Sequence, residues 1–243
     1  MSEQQINPST KPGRTFSAKE LQDFSKGFME LALEAIDAAD LEKARYWCQR
    51  QAETHDELHD FLVKMVAGLL SYIYDKLGEE AAVDALREKI AKLGSSPESI
   101  AQIKQQGPEA RVRWAVDMSR QHSTNPELIV EEDDEKVILK VKCGSGGKLI
   151  EKGSYEGPNG FRRFQKAGPH TWGEVDVPIY CCHCSLTHEI LPIEMGGQGS
   201  QLWVHASPFP KKPGDRCIHI IYKNPKDIPE KYYKRLGLEK IVE

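Results

Sequence analysis

Apolar residues recur at helical spacing through the first half of the chain and at alternate positions through much of the second. From Ser17, a candidate N-cap with Glu20 three residues on, the residues Leu21, Phe24, Phe28, Leu31 and Ala35 predict a helix reaching about Ala38. A second stripe runs through Leu41, Ala44, Cys48, Ala52, Leu62, Val66, Leu69 and Ile73, and predicts a long helix from just after Asp40 to Leu77. Gly78 ends it. A third helix is expected over residues 79–93, closed by Gly94, and a fourth over 97–120, broken at Gly107 and Pro108.

After His122 the period shortens. Residues 127–132 and 136–143 read as the arms of a hairpin, with further short strands at 148–152, 177–180, 202–205 and 217–222. Between them lie turn-forming stretches such as GSGG and MGGQGS, and DIPEKYYKRLG near the end carries the Pro and Gly marks of a short helix. The expected architecture is α+β, an N-terminal helical bundle packed against a mostly antiparallel C-terminal sheet. The expected divisions are a flexible tail over 1–16, a helical region over 17–122 and a cysteine-containing β-rich region over 123–243.

Composition narrows the class. A chain of 243 residues can bury its core without disulfides, and 39% hydrophobic with 29% charged residues is ordinary for a globular protein. No apolar run approaches the roughly 20 residues of a membrane helix, and the N-terminus lacks a secretory apolar core, so a cytoplasmic protein with reduced thiols and no membrane partner is expected. A net charge of −4 gives no reason to expect nucleic acid, which leaves a small-molecule substrate or ligand as the expected partner.

The chemistry gathers in PIYCCHCSLTHE, residues 178–189, which holds three of the six cysteines and two of the eight histidines. Cys181 and Cys184 have the Cys-x-x-Cys spacing that grips a metal from one turn. Cys143, at the end of an alternating strand, and Cys217, at the start of another, are candidates to complete a zinc site, closed if four thiolates ligate and open if three ligands leave room for water. Cys182 is expected on the opposite face, and Cys48 as an ordinary buried helix residue. His183 is a candidate ligand or base, and His188 with Glu189 a candidate general base and its orienting partner. His55 and His59 share a helix face beside Asp56 and Asp60 and form a secondary candidate site. Tyr232, Tyr233, Lys234 and Arg235 are candidates for a lid or a contact within a homo-oligomer.

The order LGEEAAVDALRE, ELIVEEDDEKVILKVKC, YCCHC and PGDRCIHIIY resembles the family of L-2-amino-thiazoline-4-carboxylate hydrolases over roughly residues 75–222. The resemblance implies a hydrolase opening a small cyclic amidine or amide, with Cys143, Cys181, Cys184 and Cys217 as the positions carried over. The Cys-x-His-Cys elaboration and the His55/His59 helix depart from that pattern. A zinc-bound water or an activated cysteine would supply the nucleophile. The other readings are a non-catalytic zinc-stapled ligand-binding or sensor protein and, ranked lowest, an iron–sulfur protein.

Overall fold

The computed structural model describes residues 15–212 and 214–241. The tail expected over residues 1–16 lies outside the described residues as far as residue 14. The chain packs as two units, Met1–Glu57 and Leu58–Glu243.

In the first unit the Ser17 hydroxyl caps the Glu20 N–H and the Glu20 carboxylate caps Ser17 in return, starting α1 (Ala18–Asp23). The single helix expected as far as Ala38 is two helices, because Gly27 takes an extended conformation and serves as the N-cap of α2 (Phe28–Asp37). α2 buries Leu31, Ala32 and Ala35, and the Phe28 ring stacks on Trp47 with centroids 5.7 Å apart. α3 (Leu41–Leu77) has the bounds its apolar period predicts. Cys48 on this helix is exposed, however, which corrects the expectation of a buried residue.

In the second unit α3 buries Val63, Ala67 and Leu70. Leu62 and Leu69 of the expected stripe are exposed at 44% and 57%, so the buried face lies one residue further along. Small side chains explain the choice: Ala67 is fully buried, and a Cβ on Gly68 would already touch the Phe161 ring at 3.7 Å. Residues 79–94 are helical throughout, passing from α4 (Glu79–Ala85) through a π turn to a 3₁₀ turn. α5 (Pro97–His122) starts on a reciprocal Ser96/Ser99 cap and kinks at Gly107, whose φ of 78° favours glycine, with Pro108 restarting the helix.

β1 (Leu128–Glu132), β2 (Lys136–Val141), β5 (Val204–Ser207) and β6 (Cys217–Tyr222) form an antiparallel sheet in the order β1-β2-β6-β5. Val137, Leu139 and Val141 stand opposite Ile221, His219 and Cys217, so the apolar alternation of β2 fixes the face on which Cys217 and His219 lie. Ile100 and Ala115 of α5 complete the core on that face. The other face buries Ile220 and Tyr222 in a larger core built with α3, α4 and the C-terminal α9 (Glu230–Lys234). The fold is α+β, as the change of period implies.

Two expected strands are wrong. Residues 148–151 belong to α6 (Gly146–Glu151) and Lys152 is its C-cap; Lys148 and Lys152, four apart, both reach Asp60 at 2.7 and 3.1 Å. After the two-residue ladder of β3 (Arg163–Phe164) and β4 (Val177–Pro178), residues 179–196 form one helical run rather than an extended segment. It consists of a 3₁₀ turn, α7 (Cys182–Cys184), a π turn (Ser185–Ile190) and α8 (Leu191–Gly196). Among the described residues no helix is long and apolar enough to cross a membrane.

Candidate metal and thiol centre

Helical geometry decides which of the clustered cysteines meet. Cys181 and Cys184, three apart on the helical run, share a face, while Cys182 turns away, fully buried, with its thiol 3.9 Å from the Pro178 carbonyl. Cys181 and Cys184 line a cavity of about 60 Å³. Cys143 and Cys217 line it too, as do His122, His183, His188 and His219. Three separated segments thus bring four thiols to one wall. A water needs about 10–15 Å³ of such space, so the cavity holds a few waters or one small group.

The tightest donor set is narrower than the four thiols. Among the described residues, Cys184, His188 and His205 are the group whose ligating atoms all lie within 4.8 Å of one another. This group can hold a metal ion. His205 was not a candidate from the sequence, where it stood only as the end of an expected strand; its pairing with His219 across β5 and β6 turns it to the site.

The imidazoles suit ligation. His188 is 5% exposed and its Nδ1 is buried with no hydrogen-bond partner, an open lone pair or an unmet donor in a nearly dry place. Burial, reinforced by His205, His183 and the other histidines, pushes His188 well below its ordinary pKa, so the ring is neutral as a ligand must be. Burial likewise holds His183 down to about 4 and lowers His205 and His219. His183 Nδ1 donates to the Tyr180 carbonyl at 2.6 Å, which leaves Nε2 facing the Cys184 sulfur at 3.5 Å.

Behind His205 stands Glu189, 1% exposed and absent from the cavity wall. Its carboxylate accepts from His205 Nδ1 at 2.8 Å, from Trp172 Nε1 at 2.7 Å and from Arg235 Nη2 at 2.8 Å. Burial raises this carboxyl, but the His205 hydrogen bond, the Arg235 charge and the Trp172 N–H outweigh it and leave it below the usual range. A carboxylate holding the far nitrogen of a histidine is the arrangement that orients metal-bound imidazoles. Glu189 thus holds His205, not His188, the partner expected for it from the sequence. In the same structure Trp203 Nε1 donates to His205 Nε2 at 2.9 Å, so His205 joins a coordination sphere through Nε2 only if that indole releases it.

The other thiols form a second arrangement. Cys143 and Cys217 share the cavity wall, and the Cys217 thiol donates to the Pro208 carbonyl at 3.7 Å. The neighbouring Cys217, the N–H groups of Gly147 and Ser145 and His122 lower the Cys143 thiol against the effect of burial, while Cys143 and burial raise Cys217. The GSGG stretch is what permits this approach. A Cβ on Gly147 would stand 2.8 Å from the Cys143 Cβ, and one on Gly146 would stand 2.7 Å from the Cys181 sulfur. Cys181 and Cys184 are pushed well up, first by burial and then by the Cys143 charge.

The secondary candidates lie outside the cavity wall. His55 is half-buried with Nδ1 3.4 Å from Asp56. His59 Nε2 meets the Ser145 hydroxyl at 3.0 Å, and its ring packs edge-on against His122 with centroids 5.3 Å apart. Comparison with family models, curated proteins and solved structures finds no significant match, which leaves the resemblance to the thiazoline-carboxylate hydrolases resting on its motifs alone.

Proposed function

We propose that the protein is a zinc-dependent hydrolase of small C–N-bonded substrates of the cyclic amidine or amide type. The observation that carries the reading is the Cys184, His188 and His205 donor set beside a small cavity, with Glu189 held behind His205. One thiolate and two imidazoles suit zinc, and three protein ligands, of which Cys184 and His188 line the cavity, leave the position that catalytic sites keep for water. Held by Cys184, His188 and His205, a zinc ion would supply a nucleophile at neutral pH and polarise a substrate carbonyl or amidine.

The chain's own residues do the rest. Glu189 fixes the His205 tautomer, with Nδ1 protonated, and Arg235 keeps that carboxylate ionised. His183 Nε2, unprotonated in the cavity wall, is the acceptor for a proton leaving the nucleophile. Trp203 stacks on His219 with rings 4.9 Å apart and offers a flat apolar wall to a planar ring substrate.

The convergence of Cys143, Cys181, Cys184 and Cys217 on the same cavity favours one second reading, a closed four-thiolate zinc staple in a non-catalytic binding protein. Metal analysis with X-ray absorption separates the two. One equivalent of zinc with one sulfur and two nitrogen neighbours, lost in Cys184→Ser and His188→Ala, is the expected result, together with turnover of a cyclic amidine panel. Four sulfur neighbours would select the staple, an intense blue colour would select copper, and metal-free active protein would end the proposal.

A further inference from the structure

Within the second unit, α3 carries apolar side chains on two opposite faces. Val63, Ala67 and Leu70 are buried in the core, while Leu58, Phe61, Leu62, Met65, Leu69 and Tyr72 are 42–62% exposed. At 3.6 residues per turn the two sets stand on opposite sides of the helix. In the exposed set, Leu58, Leu62, Met65, Leu69 and Tyr72 follow one another at steps of four, three, four and three, the a and d positions of a heptad, with Phe61 alongside. The fold uses the first face and leaves the second, a coiled-coil seam, to solvent.

The seam is large for a surface patch. At about 150–200 Å² for a large apolar side chain, six that are half exposed leave on the order of 600 Å² per copy. Monomeric proteins carry largest apolar patches of about 300–600 Å². Two such stripes laid together would bury about 1,200 Å², where stable interfaces of about 1,200–2,000 Å² begin. The ends of the chain outside the described residues cannot cover it: residues 1–14 offer only Met1 and Ile6 as large apolar side chains, and 242–243 only Val242. A lipid surface is a poor fit, because membrane-surface helices set Lys and Arg on a polar face. Here the opposite face is core, and Lys64, Asp75 and Lys76 border the seam with mixed sign.

We propose that α3 is a dimerisation helix and that a second copy of this chain lies antiparallel along the seam from Leu58 to Tyr72. In that alignment Leu62 packs against Met65 of the second copy and Leu58 against Leu69 of the second copy, so a two-fold axis repeats every contact. Lys76, at the next a position, sets the direction. Parallel helices would stack the two ammonium groups in one layer, whereas antiparallel helices hold them at opposite ends and oppose the helix dipoles.

The test is sedimentation equilibrium of the full-length protein at micromolar concentration, where the expected mass is twice the 27.4 kDa of one chain. Leu62→Glu combined with Leu69→Glu puts four carboxylates into the seam of a pair and should weaken the dimer at least about 100-fold. Leu93→Glu, at an exposed residue outside α3, should leave it intact. All three positions are exposed in one copy, so the variants should keep the wild-type circular dichroism spectrum. Hydroxyl-radical footprinting of the unmodified protein decides the matter even if the variants do not fold: oxidation of Met65 and Tyr72 should fall as the protein is concentrated, while that of Leu93 stays constant. The proposal is overturned by a monomer at micromolar concentration, by a dimer that keeps its affinity with both glutamates, or by a dimer in which Met65 and Tyr72 oxidise as fast as in dilute protein. Monomeric protein that adsorbs to phosphatidylcholine vesicles through the same residues would overturn it in favour of lipid. Cys184, His188 and His205 lie outside the seam, so zinc content in the same samples scores the metal reading separately.

Discussion

Replacing Glu189 by alanine tests both the packing of the second unit and the orientation of His205. The carboxylate is 1% exposed, and its removal leaves Arg235, 16% exposed at its side chain, and the Trp172 N–H without their acceptor. Breaking a buried pair from one side costs about 3–5 kcal/mol, since the cost is that of stranding the surviving charge. A unit of this size loses about 2–4 °C of melting temperature per kcal/mol, so the expected drop is about 6–20 °C. Near-UV circular dichroism, which reads Trp172 and Trp203 in their packed state, follows the transition. Arg235→Met should fall in the same range, and the double variant should cost less than the sum by about 1–3 kcal/mol, because neither charge is then stranded. Zinc affinity should fall by about 10–100-fold in Glu189→Ala through the loosened His205, an effect that a purely structural salt bridge would not produce. Strict additivity of the two single variants, or a loss below about 1 kcal/mol for Glu189→Ala, would refute the reasoning.

Two further outcomes follow from local geometry. Gly147→Ala places a Cβ 2.8 Å from the Cys143 Cβ and 3.2 Å from Pro210 Cγ, so urea titration should show a loss of about 1–3 kcal/mol; unchanged stability would show that the loop can shift to take the methyl group. The Asp133 carboxyl is held down to about 2 by the Lys136 side chain and the N–H groups of Glu135 and Lys136. Its folded value lies below the unfolded value of about 3.9, so its contribution to the β1–β2 turn is present above about pH 4 and is lost as pH falls through about 2. A carbon-detected NMR titration of this carboxyl, with a midpoint near 2 that disappears in Asp133→Asn, is the check; a midpoint near 4 would contradict it.

Periodicity carried the α+β class and the bounds of α3 and β6, because those segments obey one rule along their whole length. It failed where several rules competed. Residues 148–152 (KLIEK) read as a strand between turn-forming stretches, yet Lys148 and Lys152 have helical spacing, and their common partner Asp60 lies 88 and 92 residues away. At PIYCCHCSLTHE the strand expected over 177–180 stops at Pro178, where β4 ends and the helical run begins. The π turn over Ser185–Ile190 then sets the register that turns His188 to the cavity and Glu189 to Arg235, and no local pattern announces such a turn. His205 and Arg235 were invisible as site residues for a related reason. Each carries no motif of its own, and each gains its role only from the other and from Glu189.

The cavity's electrostatics decide which of its thiols keep their protons. Glu189 and Arg235 cancel behind the wall, and burial keeps His183, His188 and His219 neutral, so no fixed positive imidazole is left to draw protons off the thiols. Cys143 departs from this, lowered by the neighbouring Cys217, the N–H groups of Gly147 and Ser145 and the His122 charge. Cys184 has no such cradle. Burial and the Cys143 charge both hold its proton on, and its nearest polar partner, His183 Nε2, lies at 3.5 Å. A thiolate at Cys184 therefore requires a bound cation. On the proposed zinc reading, chelation should abolish turnover and return the proton to Cys184.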